Sequence, residues 1–238
     1  MKRTLLLALI LISAAGFGQK TLYIGLGGYY GASGVINQNT YGMAEMDYDI
    51  PASYGYNLNI GYNFTKHLGI KLELGYARLG QKYSDVINFQ DVTRQIKEGY
   101  FMVPVLFKYN TAGKVVRFYL LAGPQMAFLM SGEQEYMVNG VQFDTVLTNP
   151  VTGETFNAGE PDIKDRLSSM DVMGRIDLGV DITLVKNLFL TVGMTMSYGL
   201  LDLNAEDYRI EDVTGNYNPS HNFYGGLNLG LSYCIPFK

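Results

Sequence analysis

Ser53-Tyr-Gly-Tyr-Asn-Leu-Asn-Ile-Gly-Tyr-Asn-Phe64 alternates strictly with a period of two. Tyr54, Tyr56, Leu58, Ile60, Tyr62 and Phe64 fall on one face; Gly55, Asn57, Asn59, Gly61 and Asn63 fall on the other. Such a pattern predicts a β-strand lying between two unlike environments. Thr65-Lys66-His67 reads as a tight hairpin turn, after which the alternation resumes. Leu68, Ile70, Leu72, Leu74 and Tyr76 then oppose Gly69, Lys71, Glu73, Gly75 and Ala77. Upstream, Leu22, Ile24 and Leu26 alternate with Tyr23, Gly25 and Gly27.

Further strands are predicted from about Gly99 to Tyr109, Arg117 to Met130, Val172 to Leu184, Leu188 to Leu200 and Phe223 to Phe237, which makes eight. Short turns at 65–67, about 110–116 and about 185–187 separate them, in alternation with long loops at about 31–52, 79–98, 131–171 and 201–222. An all-β, eight-stranded antiparallel transmembrane β-barrel, with short periplasmic turns and four long outer loops, has this layout.

A soluble eight-stranded barrel would alternate too, so the sidedness of charge decides. Lys71, Glu73, Lys108, Arg175, Asp177 and Asp181 lie in mid-strand, all on the face opposite the apolar stripe. A charge facing lipid at mid-depth costs roughly 2–4 kcal/mol. The small and charged face therefore belongs to a lumen and the Leu/Ile/Tyr face to lipid. Charge along the axis agrees: the four long loops hold 19 acidic and 6 basic residues, an acidic outer crown. Lys66, Lys114, Arg117 and Lys186 mark the opposite, basic rim.

Composition removes several classes. A net charge of −4 without a basic stripe argues against nucleic acid. A single cysteine, Cys234, forms no internal disulfide and excludes every multi-cysteine cluster. With Met1-Lys-Arg-Thr, the apolar run Leu5 to Ile12 and Ser13-Ala-Ala-Gly-Phe-Gly18, the chain opens as a secretory signal peptide. Cleavage is expected after Gly18, leaving residues 19–238 as a single barrel domain. The apolar run is too short for a spanning helix, which needs about 20 residues.

Glu98-Gly-Tyr-Phe-Met-Val-Pro-Val-Leu-Phe-Lys-Tyr109, followed by Phe118-Tyr-Leu-Leu-Ala-Gly-Pro124, resembles a known group. Met196-Ser-Tyr-Gly-Leu-Leu-Asp202 and Gly230-Leu-Ser-Tyr-Cys-Ile-Pro-Phe237 fit the same pattern. The chain looks like the outer-membrane β-barrel domain of Gram-negative bacteria (porin family, including PorT-like proteins, with the OmpA/OmpX type of barrel). That resemblance implies outer-membrane lipid as the surroundings and the barrel assembly machinery as a partner during biogenesis. It is nearly silent on activity. Pro104 and Pro124 each remove a ladder donor, so a bulge or irregular pairing is expected at both.

Candidate chemistry is sparse. Three cations, Lys71, Lys108 and Arg175, balance three acids, Glu73, Asp177 and Asp181, in a lumen too narrow for an aqueous channel. Such charges have to be paired, and they read as a structural plug that fixes register. Ser220 beside His221, with acids nearby, is the one nucleophile-and-base pair to weigh, and it reads as a loop end; His67 sits in a periplasmic turn. Asp47 with Asp49, and Glu160 with Asp162 and Asp165, lack the spacing of a calcium loop. Gly25-Leu-Gly27-Gly28 opens no helix, so it is lumen packing and not a dinucleotide motif. No catalytic, metal or cofactor site is therefore expected.

Within the third loop, Glu135 to Leu147 reads as a small hairpin above the membrane, with Asn139-Gly140 as a type I′ turn. Tyr136, Asn139, Gly140 and Phe143 are its candidate partner contacts. The function expected is a non-enzymatic barrel that presents acidic surface loops for interaction or envelope integrity. A PorT-like accessory of a secretion or surface-assembly complex is the first alternative, and a narrow pore the second.

Overall fold

The structure is a computed structural model that describes residues 20–37, 47–87, 89–142, 146–148, 155–157, 161–209, 211 and 215–236. The segment read as a signal, 1–18, lies outside the described residues. Eight long strands are present: β1 (Thr21–Ile36), β2 (Ala52–Asn63), β3 (Leu68–Ile87), β4 (Gln90–Asn110), β5 (Val116–Val138), β6 (Met170–Val185), β7 (Leu188–Gly199) and β8 (His221–Pro236). Each pairs antiparallel with its neighbours in sequence, and β8 closes on β1 from Thr21↔Pro236 to Ile36↔His221. Closure leaves no free edge within the membrane, where an unpaired backbone group costs several kcal/mol.

Register fixes the shape of the ring. One circuit runs from Leu22 to Tyr62, Ile70, Phe107, Ala122, Ile176, Met196 and Gly225. It returns to β1 at Ala32, ten residues beyond its start. A ten-residue stagger over eight strands sets a tilt of about 40° and a radius of about 8 Å, given the usual strand spacing and rise. That width is filled by side chains.

The apolar face points outward as the alternation predicts: Leu26 is 68 % exposed, whereas the lumen-facing Tyr23 is 1 % exposed. Aromatic side chains ring both ends of the outer surface. Tyr62, Phe64, Tyr109, Phe118 and Tyr233 lie toward the short turns, and Tyr30, Tyr54, Tyr56, Tyr76, Phe101, Phe128 and Tyr198 toward the long loops. Tyr54 and Phe64 are ten residues apart on a tilted strand, about 25 Å along the axis. This equals the apolar band of an outer-membrane barrel.

Beyond the upper ring the two faces exchange character. From Arg78 upward, β3 turns Leu79 and Tyr83 inward and Lys82 outward; β4 likewise buries Val92 and Ile96 and turns the half-buried Lys97 outward. Water outside the barrel, in place of lipid, reverses which face must be apolar. The segment 79–98, expected as a long loop, is consequently strand on both sides of a tight turn near Phe89. Together with the upper part of β5, these strands form a three-stranded fin with about 30 Å of strand beyond the membrane. The other three long connections and the three short turns fall where the sequence put them, although β1 and β5 extend further, to Ile36 and Val138.

The prolines produce no bulge. Pairing lapses beside Pro104 on the β3 side and between Pro124 and Val105 on the β4–β5 side, while the register continues unchanged. The register shift in this region lies at Gly99/Tyr100 instead.

Candidate functional site

The six lumen charges are brought together from three strands, β3, β4 and β6. Arg175 on β6 is the hub. Its Nη1 donates to Glu73 Oε2 at 2.8 Å, Nη2 to Asp177 Oδ2 at 2.7 Å and Nε to Asp177 Oδ1 at 2.8 Å. Lys71 Nζ lies 2.7 Å from the other oxygen of Glu73, and Thr195 Oγ1 donates to Asp177 Oδ1 at 2.6 Å. Nearer the short turns, Lys108 meets Asp181 at 2.6 Å, and Thr191 donates to the same carboxylate at 2.7 Å. The rings of Tyr23, Tyr119 and Phe189 stand 5.2, 5.5 and 5.6 Å from the Lys108 ammonium. Bidentate Arg–carboxylate geometry and cation–π contacts supply what water would otherwise give these ions.

Above Arg175 the lumen turns apolar. Gln125 forms the boundary: its Oε1 accepts from Tyr224 at 2.9 Å, while its Nε2 faces Met102 and Met173 sulfurs at 3.1 and 3.2 Å. Higher still, Ala77, Leu79, Tyr83, Val92, Ile96, Tyr100 and Leu129 form a buried core. Ile163 and Leu167, from the connection after the fin, and Leu203, from the last long connection, fold into it from above. Both connections are pinned: Ile163 N donates to Gly132 O at 2.9 Å and Leu203 N to Ser220 O at 2.8 Å. The barrel is thus capped as well as plugged. Cavities among the lumen side chains measure about 20, 20 and 10 Å³, room for single waters.

One carboxyl escaped the sequence reading. Glu98, placed in the outer crown by its position in 79–98, faces inward and is fully buried in the upper core. Its sequence neighbour Lys97 points outward above the aromatic ring, so Glu98 lies outside the membrane-spanning part of the wall. Asn222 Nδ2 donates to Glu98 Oε2 at 2.9 Å, while Oε1 has no hydrogen-bond partner in the structure. Burial pushes its pKa up to about 7; hydrogen bonds from Asn222 and Tyr100 oppose that shift, and the charge of Asp171 adds to it. The signal in the sequence was the reversed alternation around it, apolar Ile96 and Tyr100 on the same face.

The candidate contact residues sit on the fin. Asn139 (φ 50°) and Gly140 (φ 76°) form the expected tight turn, and Asn139 Oδ1 accepts from Asp91 N at 2.9 Å. Of the return limb, Val141–Gln142 pairs with the end of β5, residues 143–145 lie outside the described residues, and Val146–Thr148 pairs with Thr155–Asn157. The hairpin is therefore a continuation of the barrel wall and not a separate unit above it. Tyr136 is half-buried against the upper core, Asn139 and Gly140 are exposed, and Phe143 lies outside the described residues. Val86, Phe89 and Val141 are exposed apolar side chains near the tip.

The residues weighed for catalysis are not assembled. Ser220 Oγ donates to Asn37 O at 2.6 Å, whereas His221 Nδ1 lies 3.0 Å from Leu201 O and its ring packs on Tyr198. His67 Nδ1 lies 2.8 Å from Asn110 O in its turn. Asp49 engages Lys82 and Ser84, Asp162 accepts from Lys164 N, and Glu160 is outside the described residues. Among the described residues no group of three or more His, Cys, Asp or Glu side chains is placed to hold a metal. Gly25, Gly27 and Gly28 are part of β1, packed against β2 and β8.

Solved structures similar to the chain include the N-terminal β-barrel domain of Pseudomonas aeruginosa OprF, at 13 % identity and a TM-score of 0.41, covering 92 % of this chain and 98 % of that one. Neisserial surface protein A matches at 12 % identity and a TM-score of 0.42, over 91 % and 97 % of the two chains. A major outer membrane protein from Thermus thermophilus matches at 14 % identity and a TM-score of 0.47, over 91 % and 99 %. No curated protein matches. The family model for the outer membrane protein beta-barrel domain spans residues 17–205. The chain belongs to that family, the outer membrane protein beta-barrel domain proteins, and its place is the outer membrane.

Proposed function

We propose that this protein is a sealed, non-enzymatic barrel, delivered across the inner membrane by the cleaved segment 1–18, whose work is done by the fin it holds above the outer membrane. The observation that carries this reading is the fin itself. Strands β3, β4 and β5 run from the lipid-facing wall into it, so its tip is held by the same hydrogen-bonded ladders as the barrel. Rigid presentation reduces the ordering cost of binding. Phe89 at the tip is fully exposed, with Val86 and Val141 nearby, in a crown otherwise rich in acids. An apolar tip in a charged surround suits contact with a protein partner. Lumen cavities of about 20 Å³ speak against a pore.

The test is in-cell photocrosslinking with a probe at Phe89, Gly140 or Gln142, and a control probe at Lys186 in a short turn. A discrete adduct from the fin positions and none from Lys186 is expected. Adducts to lipid alone, or equal yields at Lys186, would sink the reading. Adducts to a secretion or surface-assembly component would select the accessory role within it.

A further inference from the structure

Outward-facing cations on the strands are confined to one patch. Lys71, Lys108, Arg117 and Arg175 face the lumen and Arg94 donates to the buried Gln134, but Arg78, Lys82 and Lys97 point away from the barrel. All three lie on β3 and β4 immediately above the aromatic ring: Arg78 pairs directly with Tyr54, and Lys97 with Gly80 one step higher. Outward side chains at this height face lipid head groups.

A groove opens at the same place. Pairing between β2 and β3 stops at Tyr54↔Arg78 and resumes only where Asp47–Asp49 meets Lys82–Ser84. Between these points the Ile50-Pro51 step is unpaired with β3, although Pro51 O still accepts from Ser33 N on β1 at 3.2 Å, and a groove of about 240 Å³ opens, lined by Pro51, Tyr54, Arg78, Gly80, Gln95 and Lys97. Gly80 contributes bare backbone to its floor; a Cβ there would lie 2.0 Å from the Ile96 carbonyl oxygen.

The cations are held but not consumed. Arg78 Nη2 donates to Glu133 at 3.0 Å, which takes one of five guanidinium donors, and Lys97 pairs with Glu135. Both acids are on β5, on the far side of the cations from the groove, and the Glu133 side chain is 50 % exposed and free to yield to a stronger anion. Lys82 at the upper lip pairs with Asp49 at 3.4 Å. An arginine fork and a lysine over an aromatic-edged groove, opening toward lipid, match a phosphate on an amphiphile.

We propose that this groove binds the phosphate-bearing head group of an outer-leaflet lipid, with Arg78 and Lys97 as phosphate ligands and Tyr54 packing beneath. The test places the full barrel, verified as folded by its heat-modifiable migration, in phosphatidylcholine nanodiscs containing a little bisphosphorylated glucosamine-disaccharide lipid (lipid A). Native mass spectrometry then counts retained lipid. Wild type should retain the phosphorylated lipid, Arg78→Gln/Lys97→Gln should retain on the order of tenfold less, and Lys66→Gln/Lys114→Gln should match wild type. Equal retention by the groove variant, or equal retention of the dephosphorylated lipid, would overturn the proposal. Competition by free glucosamine phosphate at the same concentration would assign the groove to a soluble phosphate and overturn the lipid assignment.

Discussion

Arg175 and Glu73 reach across the lumen from β6 and β3 and meet at 2.8 Å, each also gripping a second ion, Asp177 and Lys71 respectively. Neither strand neighbours the other in the sheet, so this contact ties two walls that the ladder does not join. Removing the guanidinium leaves Asp177 without a cation and Glu73 with Lys71 alone. Arg175→Met is expected to cost about 3–5 kcal/mol. The double change Arg175→Met/Asp177→Asn should recover most of it, because that ion pair is removed together while Glu73 keeps Lys71. Urea unfolding of the barrel in lipid vesicles measures both, and a stable single variant would disprove the coupling.

Gly61 is where the Tyr23 ring rests. A methyl group on Gly61 would lie 1.9 Å from Tyr23 Cζ. The ring is held by Phe189, edge-on at 5.4 Å, and by the Lys108 ammonium at 5.2 Å, so it has nowhere to move. Gly61→Ala should therefore destabilise by roughly 1–3 kcal/mol. Adding Tyr23→Leu should bring the pair below the sum of the two single costs. Additive costs in the same unfolding assay would show that the ring does not constrain position 61.

Glu98 should make the barrel's stability fall with pH. Its pKa is raised by burial from an ordinary carboxyl value to about 7, so the folded state holds a proton that the unfolded state has released. Stability is then full below about pH 4.5, declines through the interval up to about pH 7, and levels off above it. The total is on the order of 3 kcal/mol. Glu98→Gln removes this titration and should be more stable than wild type at pH 8 and equal to it at pH 4. Parallel pH profiles for the two proteins would contradict the assignment.

Planar-bilayer recordings test the plug and cap together. Wild-type barrels should show no current steps above membrane leak at neutral pH, since the lumen cavities hold only single waters. Reproducible steps of uniform size would restore the pore reading.

Much of this architecture was legible because strand alternation is a local property. Tyr54 to Phe64 and Leu68 to Tyr76 declare their faces without reference to any distant residue, and the charges at Lys71, Glu73, Asp177 and Asp181 declare which face is the lumen. Asn139-Gly140 likewise announced its turn, since few residue pairs accept positive φ twice. The segment 79–98 misled because its alternation runs in reverse phase: once the wall leaves lipid, Leu79, Tyr83, Val92 and Ile96 belong inside. A period-two reading that assumes one environment along the whole strand loses the pattern at that boundary.

The sequence alone determined the number of strands, their faces and the end at which the long connections lie, since each follows from residues adjacent in the chain. Only the tertiary structure decided which lumen ions share a bond, that Glu98 is buried with an unpaired oxygen, and that Arg78 and Lys97 flank one groove. Those facts depend on inter-strand register, which sets Arg78 beside Lys97 on adjacent strands, and on the ten-residue stagger accumulated around the ring, which sets residues from non-neighbouring strands such as Arg175 and Glu73 at equal height. No local pattern encodes that sum.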